Sequence, residues 1–208
     1  MRPTDISDPA YFHKVVDCQW ACPAHTPVPE YIRLIAMGRY DDAYMVNWHS
    51  NVFPGILGRT CDRPCEPACR RGRVEEENAE KPEPVAICRL KRVAADLKGG
   101  EVRAMIPRAK ASNGKKVACV GAGPASLTVA RDLAAQGYQV TVFDSETKAG
   151  GFMWSQIPRF RLPETVIDEE VGYILGLGVE FRGGQRIGSM KALLAGPWDA
   201  VFVGCGAP

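Results

Sequence analysis

Long hydrophobic runs, a strong excess of one charge and a secretory leader are all missing from this 208-residue sequence. No apolar run reaches the roughly 20 residues that a membrane-spanning helix needs. The formal net charge is +2, which favours neither a nucleic acid nor a membrane as the partner. The first residues, Met1-Arg2-Pro3-Thr4-Asp5, do not have the pattern of a signal peptide. We therefore expect a cytoplasmic protein in a reducing environment, where disulfides are rare.

Several common catalytic signatures are missing as well. The sequence has no Walker lysine loop, no Gly-x-Ser-x-Gly elbow and no His-Glu-x-x-His pair. P-loop nucleotidases, α/β-hydrolases and the common zinc proteases are therefore disfavoured. With 46% hydrophobic residues, the chain has enough apolar mass for two small cores.

Cysteine is concentrated in the first half of the chain. Six of the eight cysteines lie within the first 88 residues: Cys18, Cys22, Cys61, Cys65, Cys69 and Cys88. Thiolates at such short spacing bind soft metal centres, and turn-stiffening prolines lie beside two of them. The best set of four ligands is Cys22, Cys61, Cys65 and Cys69, and it favours a [4Fe-4S] cluster.

Two other interpretations of these cysteines stay open. Four cysteines could also hold a structural zinc ion, although such sites usually present paired Cys-x2-Cys knuckles and this sequence has none. Buried thiols without a metal are the second alternative, and for Cys18 and Cys88 this is as plausible as a ligand role. Cys119 and Cys205 lie in apolar, strand-like runs, so we expect them in the core.

The second half of the chain predicts a βαβ unit. A short apolar strand, Lys116–Val120, leads into the glycine turn Gly121 to Ser126, a helix over residues 125–136 and a second strand, Gln139–Phe143. Gly121 permits the tight turn, and Gly123 lets the backbone approach a pyrophosphate at the helix start. Asp144 follows the second strand and can accept hydrogen bonds from a ribose. Ser126 replaces the usual third glycine, which predicts slightly looser packing of helix against strand.

The first half predicts helices and irregular structure. We expect helices over residues 8–16, 28–37, 40–48 and 84–97, a turn-rich segment over residues 51–58 and a solvated polar loop over residues 75–84. These helices have few apolar residues to pack on, so a buried cluster could replace part of a core.

Short segments spread along nearly the whole chain resemble those of one protein family. They are Ala21-Cys22-Pro23, residues 28–30, residues 51–69, the glycine turn 121–126, Gly150-Gly151 and residues 157–163. On these segments the chain resembles the amino-terminal electron-input module shared by the small subunit of bacterial glutamate synthase and by dihydropyrimidine dehydrogenase.

The resemblance implies an α + α/β architecture with two domains. Residues 1–110 would form an all-helical [4Fe-4S] domain, and residues 111–208 the first part of a glutathione-reductase-type, Rossmann-like FAD domain. The function implied is that of an NAD(P)H-dependent oxidoreductase module. In the family, FAD takes a hydride from NAD(P)H and passes single electrons through [4Fe-4S] clusters to another redox centre.

The resemblance also assigns roles residue by residue. The cluster ligands implied are Cys22, Cys61, Cys65 and Cys69. The FAD-binding residues implied are Gly121, Gly123, Pro124, Ala125, Ser126, Asp144, Gly150, Gly151, Phe152 and Arg161.

Three departures from the family limit what is implied. No cysteine precedes Cys18, and Lys91 stands where the family offers a Gln or Glu ligand, so we expect one cluster and not two. The sequence ends at Pro208, before the family's nucleotide domain, so NAD(P)H would bind outside these residues. Partners would then be the missing nucleotide domain or another redox subunit.

Two further interpretations come from the residues themselves. A non-catalytic, zinc-stapled docking module with a degenerate nucleotide fold is the alternative function, although it leaves residues 157–163 unexplained. If a cluster is present, we expect the side chains of Arg59 and Arg63 to donate hydrogen bonds towards its sulfur atoms and raise its reduction potential.

Overall fold

The computed structural model describes residues 16–73 and 82–206, which separate into two compact units at Met105–Ile106. The helix predicted over residues 8–16 and most of the predicted polar loop over residues 75–84 lie outside the described residues. The first unit is helical and the second is an α/β unit, which confirms the predicted fold class.

The first unit is built from short helices joined by turns. They are α1 (Asp17–Ala21), α2 (Val28–Ala36), α3 (Tyr40–Asn51), α4 (Pro54–Thr60), a 3-10 turn (Arg70–Arg73), α5 (Ile87–Leu97) and α6 (Val102–Met105). Helix α2 follows Pro27, has a proline in its first turn and ends before Gly38, whose φ of 72° suits a glycine. Its apolar side chains Val28, Tyr31 and Leu34 recur on one face and are buried.

Helix α4 replaces the turn-rich segment predicted over residues 51–58. Proline and glycine suggested a loop there, but Pro54 occupies the first turn of the helix, where its missing N–H removes no hydrogen bond. Gly58 is buried where α4 meets α5, and a β-carbon at this position would lie 2.8 Å from the Cα atom of Arg92. The glycine therefore permits the close approach of two helices.

The core of the first unit mixes apolar side chains with thiols. Cys65 and Cys69 are buried together with Val28, Tyr31, Leu34, Ala43, Ile87 and Ala94. The hydroxyl group of Tyr31 donates to the carbonyl oxygen of Ile87 at 3.0 Å and so ties α2 to the start of α5. The cysteine-bearing loop is thus part of the core of this unit.

The second unit is a parallel sheet with helices between its strands. Its elements are β1 (Lys116–Val120), α7 (Pro124–Ala135), β2 (Gln139–Phe143), α8 (Phe152–Ser155), α9 (Glu164–Leu175), β3 (Glu180–Arg182), α10 (Met190–Leu194) and β4 (Ala200–Val203). The strand order is β3-β2-β1-β4, with all pairs parallel. The predicted βαβ unit is confirmed, and β4 (Ala200–Val203) pairs with β1 on its other side.

The register of this sheet brings its functional loops together. Val120 at the end of β1 pairs with Phe143 of β2 and with Val203 of β4. The segments that follow these residues begin with Gly121, Asp144 and Gly204, and they therefore meet at the carboxyl edge of the sheet. Across the described residues, no helix is long and apolar enough to cross a bilayer.

The α4–α5 contact generates a stability prediction. Gly58→Ala should destabilise the first unit by about 1–3 kcal/mol, because the added methyl group overlaps the Arg92 backbone. The matched control is Gly172→Ala in α9, where a β-carbon would meet no atom within 4 Å. This change should stabilise its helix by up to about 1 kcal/mol, because alanine has the higher helix propensity. Urea unfolding of both variants measures the difference, and equal effects would contradict the proposed close contact.

Candidate functional site

Two sites are built from the predicted residues, one in each unit. In the first unit, Cys22 ends α1 and Cys61 ends α4, while Cys65 and Cys69 lie in the turns that follow. Backbone hydrogen bonds from Glu66 to Arg63 and from Cys69 to Glu66, each 3.0 Å long, shape these turns. Helix ends and tight turns thus deliver all four predicted ligands.

The first-half cysteines share one neighbourhood. In addition to burial, the charges of the nearby Cys61 and Cys22 raise the pKa of Cys65. The charge of Cys69 raises the pKa of Cys18 in the same way. The Tyr31 hydroxyl lies in the electrostatic field of Cys65, Cys88, Cys18 and Cys22, and burial chiefly raises its pKa. Cys18 and Cys88, which the sequence left unassigned, therefore lie beside the four predicted ligands.

Two thiol pKa values show how these cysteines interact. The neighbouring Cys88 thiol, and secondarily the hydrogen bond from the backbone N–H of Arg63, lowers the pKa of Cys61 to about 5. The Cys88 thiol itself donates to the carbonyl oxygens of Leu57 and Gly58 at 3.4 and 3.5 Å. Burial raises the pKa of Cys65 to about 11. Thiols buried in this way are costly to ionise without a positive charge nearby. A metal centre would supply that charge and stabilise the thiolate forms.

The donor set fits an iron–sulfur cluster. Within residues 16–73 and 82–206, no three His, Cys, Asp or Glu side chains are grouped around a point where a single metal ion would sit. A four-iron cluster is larger than one ion and takes four thiolates from short, sharply turned backbone. Cys22, Cys61, Cys65 and Cys69 are the residues that would hold it.

Thr26 anchors the Cys22 side of this cysteine site, and the sequence analysis did not identify it. Its hydroxyl oxygen accepts hydrogen bonds from Ser50 and Asn51, both at 3.2 Å, and lies 3.5 Å from the Cys22 sulfur. The position of Thr26 four residues after a predicted ligand was the available signal. These contacts hold the Cys22 turn against the end of α3.

The arginines expected to face the sulfur atoms make other contacts. The Arg59 guanidinium lies 2.6 Å from Asp96 and also donates to the carbonyl of Gly55. The Arg63 side chain is half exposed and lies 3.8 Å from Glu66. It is the backbone N–H of Arg63, at a φ of 61°, that donates to the Cys61 sulfur at 3.4 Å. The hydrogen bond to sulfur therefore comes from the main chain.

The second site is a cavity of about 580 Å³ at the carboxyl edge of the sheet. Most of the predicted cofactor-binding residues line it, namely Gly121, Gly123, Pro124, Ala125, Asp144, Gly151 and Phe152. Ser126 is fully buried behind the turn, and Arg161 is exposed on the loop before α9. Gly150 reaches the turn through its N–H, which donates to the carbonyl of Ala122 at 2.8 Å.

The glycine turn has the shape of a phosphate cradle. Gly121 has a φ of 93°, and a β-carbon there would lie 2.5 Å from the carbonyl oxygen of Gly204. At Gly123 a β-carbon would meet only that same oxygen, 4.0 Å away, so its side faces open space. Helix α7 starts at Pro124 without a side-chain cap, which leaves its first N–H groups for an anion. This arrangement fits the pyrophosphate of a dinucleotide.

Asp144 is held in place beside this cradle. Its carboxylate oxygens accept the N–H of Ala122 at 2.5 Å and the N–H of Glu146 at 2.8 Å. These bonds fix the carboxylate at the rim of the cavity, where it can still accept hydrogen bonds from ribose hydroxyl groups.

The contribution of β4 to this cavity was not predicted from the sequence. Gly204, Cys205 and Gly206 line it, and Cys205, expected in the core, is exposed. Gly204 accommodates Ser126, because a β-carbon at Gly204 would lie 2.3 Å from the Ser126 hydroxyl oxygen. This contribution could have been predicted, because ligands of parallel sheets bind where the strands end. Cys119, in contrast, is buried in β1 as predicted, and burial raises its pKa to about 11.

Family models match both units. Residues 12–101 match the dihydropyrimidine dehydrogenase domain II, 4Fe-4S cluster family, and residues 119–177 match a family of NAD(P)-binding Rossmann-like domains. Together they support an iron–sulfur cluster in the first unit and a flavin- or nicotinamide-type dinucleotide in the second. The zinc-stapled docking module predicted as the alternative has no support from either match.

Curated relatives align with most of the chain. The NADP(+)-dependent formate dehydrogenase subunit beta of Moorella thermoacetica is 36% identical over 91% of this chain and 29% of its own length. The NADPH-Fe(3+) oxidoreductase subunit beta of Geobacter sulfurreducens is 35% identical, over 98% and 31%. The NADPH glutamate synthase small chain of Escherichia coli is 34% identical, over 91% and 39%. The chain thus spans about a third of the length of these relatives.

The cradle geometry predicts different effects for its two glycines. Gly123→Ala should leave the stability of the second unit unchanged but lower its affinity for FAD at least about tenfold, or ~1.4 kcal/mol, because the methyl group enters the ligand space. Gly121→Ala should instead destabilise the unit, because of its positive φ and the Gly204 contact. Thermal unfolding without ligand and titration by flavin fluorescence separate the two effects. Unchanged FAD affinity in the Gly123 variant would mean that the dinucleotide binds elsewhere.

Proposed function

We propose that this chain transfers electrons between FAD and one [4Fe-4S] cluster within an NAD(P)H-dependent oxidoreductase. Its similarity to the dihydropyrimidine dehydrogenase 4Fe-4S family, to Rossmann-like domains and to the glutamate synthase small chain supports the proposal. When bound, FAD would exchange electrons in pairs with a nicotinamide, and the cluster would carry them singly. The observation that carries the proposal is the convergence of the first-half cysteines on one buried place in a small helical core.

The residues of this chain would bind, orient and shield the two groups. Cys22, Cys61, Cys65 and Cys69 would hold the cluster, and the backbone N–H of Arg63 would donate to the Cys61 thiolate. In the second unit the glycine turn and Asp144 would position the pyrophosphate and the adenosine ribose of FAD. Arg161, which is exposed on the loop before α9, would contact FAD.

The nicotinamide and the final acceptor would bind elsewhere. The glycine turn is assigned to FAD, so NAD(P)H would bind to a domain or subunit beyond these residues. The relatives are named as beta or small subunits that use NADP(H), which supports a redox partner and NADPH as the electron source. Thiolate ligands persist in reducing compartments, in agreement with the cytoplasmic location expected from the sequence.

The cluster proposal predicts a metal content. Chain purified without oxygen should contain about four iron atoms and about four acid-labile sulfides. Cys65→Ala should abolish both, because it removes a buried ligand. Cys119→Ala, which removes an equally buried thiol in β1, is the matched control and should retain both. Zinc without acid-labile sulfide would refute the cluster.

The flavin proposal predicts a preference for FAD over FMN. The cofactor released by heat should elute as FAD in chromatography, because FMN lacks the adenosine ribose that Asp144 would bind. Asp144→Ala should weaken FAD binding by about 1.5–3 kcal/mol, the value of a hydrogen bond to a charged group, and leave FMN binding little changed. Asp168→Ala, an exposed acid on α9, is the control. Equal losses for FAD and FMN would show that Asp144 has no role in ribose binding.

A further inference from the structure

Helix α5 carries a lysine on the face that it buries. Its buried residues are Ile87, Cys88, Lys91, Ala94 and Ala95, which recur at helical spacing on one stripe. Lys91 is only 6% exposed. Lysines are almost never buried so fully unless something compensates the desolvation of their charge.

The compensating groups are thiols. The charge of Lys91 acts on Cys61, Cys65 and Cys88. Cys88 lies about one turn before Lys91 on the buried face of α5. Helix α4, which ends at Cys61, packs against α5, and Cys65 shares a core cluster with Ile87 and Ala94 of α5. Among the described residues, no carboxylate forms an ion pair with Lys91. Two acids of this unit pair elsewhere: Glu66 accepts the N–H of Cys88 and lies near Arg63, while Asp96 pairs with Arg59 and Arg92.

The exposed arginines cannot supply the same field. Arg63 is half exposed and Arg92 is more than half exposed, so water and salt screen their charges. A cation that is 94% buried acts through a medium of much lower effective dielectric constant. Arg59 is also buried, but its guanidinium lies 2.6 Å from the Asp96 carboxylate, which offsets its charge. Lys91 is therefore a buried positive charge without a carboxylate partner among the described residues, and it acts on all three thiols.

We infer that Lys91 is a built-in counter-charge that raises the reduction potential of the cluster held at these cysteines. The inference rests on the proposed cluster. Four thiolates leave a [4Fe-4S] centre negative in both usual oxidation states, and reduction adds one more negative charge. A fixed ammonium group close to the thiolates stabilises the reduced form more than the oxidised form. The cluster then accepts electrons more readily from a flavin donor.

Redox titration of the loaded chain, followed by EPR, tests this inference. The variants are Lys91→Met, which keeps the volume and removes the charge, and Lys91→Arg, which keeps the charge. Arg89→Met is the matched control, because Arg89 is an exposed cation on the same helix and its loss changes the net charge equally. We expect a lower midpoint potential in Lys91→Met and values close to wild type in Lys91→Arg and Arg89→Met. Any small shift in Arg89→Met should fade with added salt, whereas the shift in Lys91→Met should persist.

Each outcome decides for or against the counter-charge. A cluster with an unchanged or raised potential in Lys91→Met would overturn it, and so would an equal fall in Arg89→Met. If Lys91→Met takes up no cluster while Lys91→Arg does, the charge is needed to gather the thiolates, which supports the inference. If neither loads, Lys91 serves packing alone and the inference is wrong. Absence of acid-labile sulfide in the wild-type chain would instead refute the proposed function itself.

Discussion

Burial of sulfur is the constraint on which the first unit depends. Its helices are short, and the place where they meet is filled by Cys65 and Cys69 beside Tyr31 and Ile87. Thiols contribute less apolar surface than leucine or phenylalanine would, so this core is thin for its number of helices. A metal centre bound there would add the cross-links that the side chains do not supply, and its binding energy would become folding energy. Structure and electron transfer would then depend on the same four residues.

The second unit solves a different problem, which is to bring the main chain close to a charged ligand. It does so by excluding side chains: a β-carbon at Gly121 would meet the Gly204 carbonyl, and one at Gly204 would meet the Ser126 hydroxyl, while Gly123 leaves its side open. Asp144 is fixed by the backbone of the same turn. The site is thus formed without a ligand, so we expect little ordering cost on binding. A site formed in advance suits a tightly held cofactor more than an exchanged substrate.

Elements were predicted correctly from the sequence where a residue type favours only one local structure. The glycine turn, the strands around it and Asp144 followed from period and spacing, and the structure contains them. The prediction was wrong where a residue type suits two local structures. Pro54 and Gly58 suggested a loop but form a helix, because proline suits a first turn and glycine suits a close helix contact. From the sequence, Lys91 was only a departure from the family and Thr26 only a neighbour of Cys22. Their roles depend on residues distant in sequence: Cys61 and Cys65 for Lys91, and Ser50 and Asn51 for Thr26.

The central claim is that one chain holds a flavin and a paramagnetic iron centre that exchange electrons. An anaerobic reductive titration of the loaded chain, followed at once by flavin absorbance and low-temperature EPR, tests it most directly. The account predicts that a reduced-cluster signal of about one unpaired electron per chain develops while the flavin bleaches. In the Cys65→Ala variant the flavin should still bleach and that signal should be missing. A flavin that bleaches in the wild-type chain with no iron signal would contradict the account.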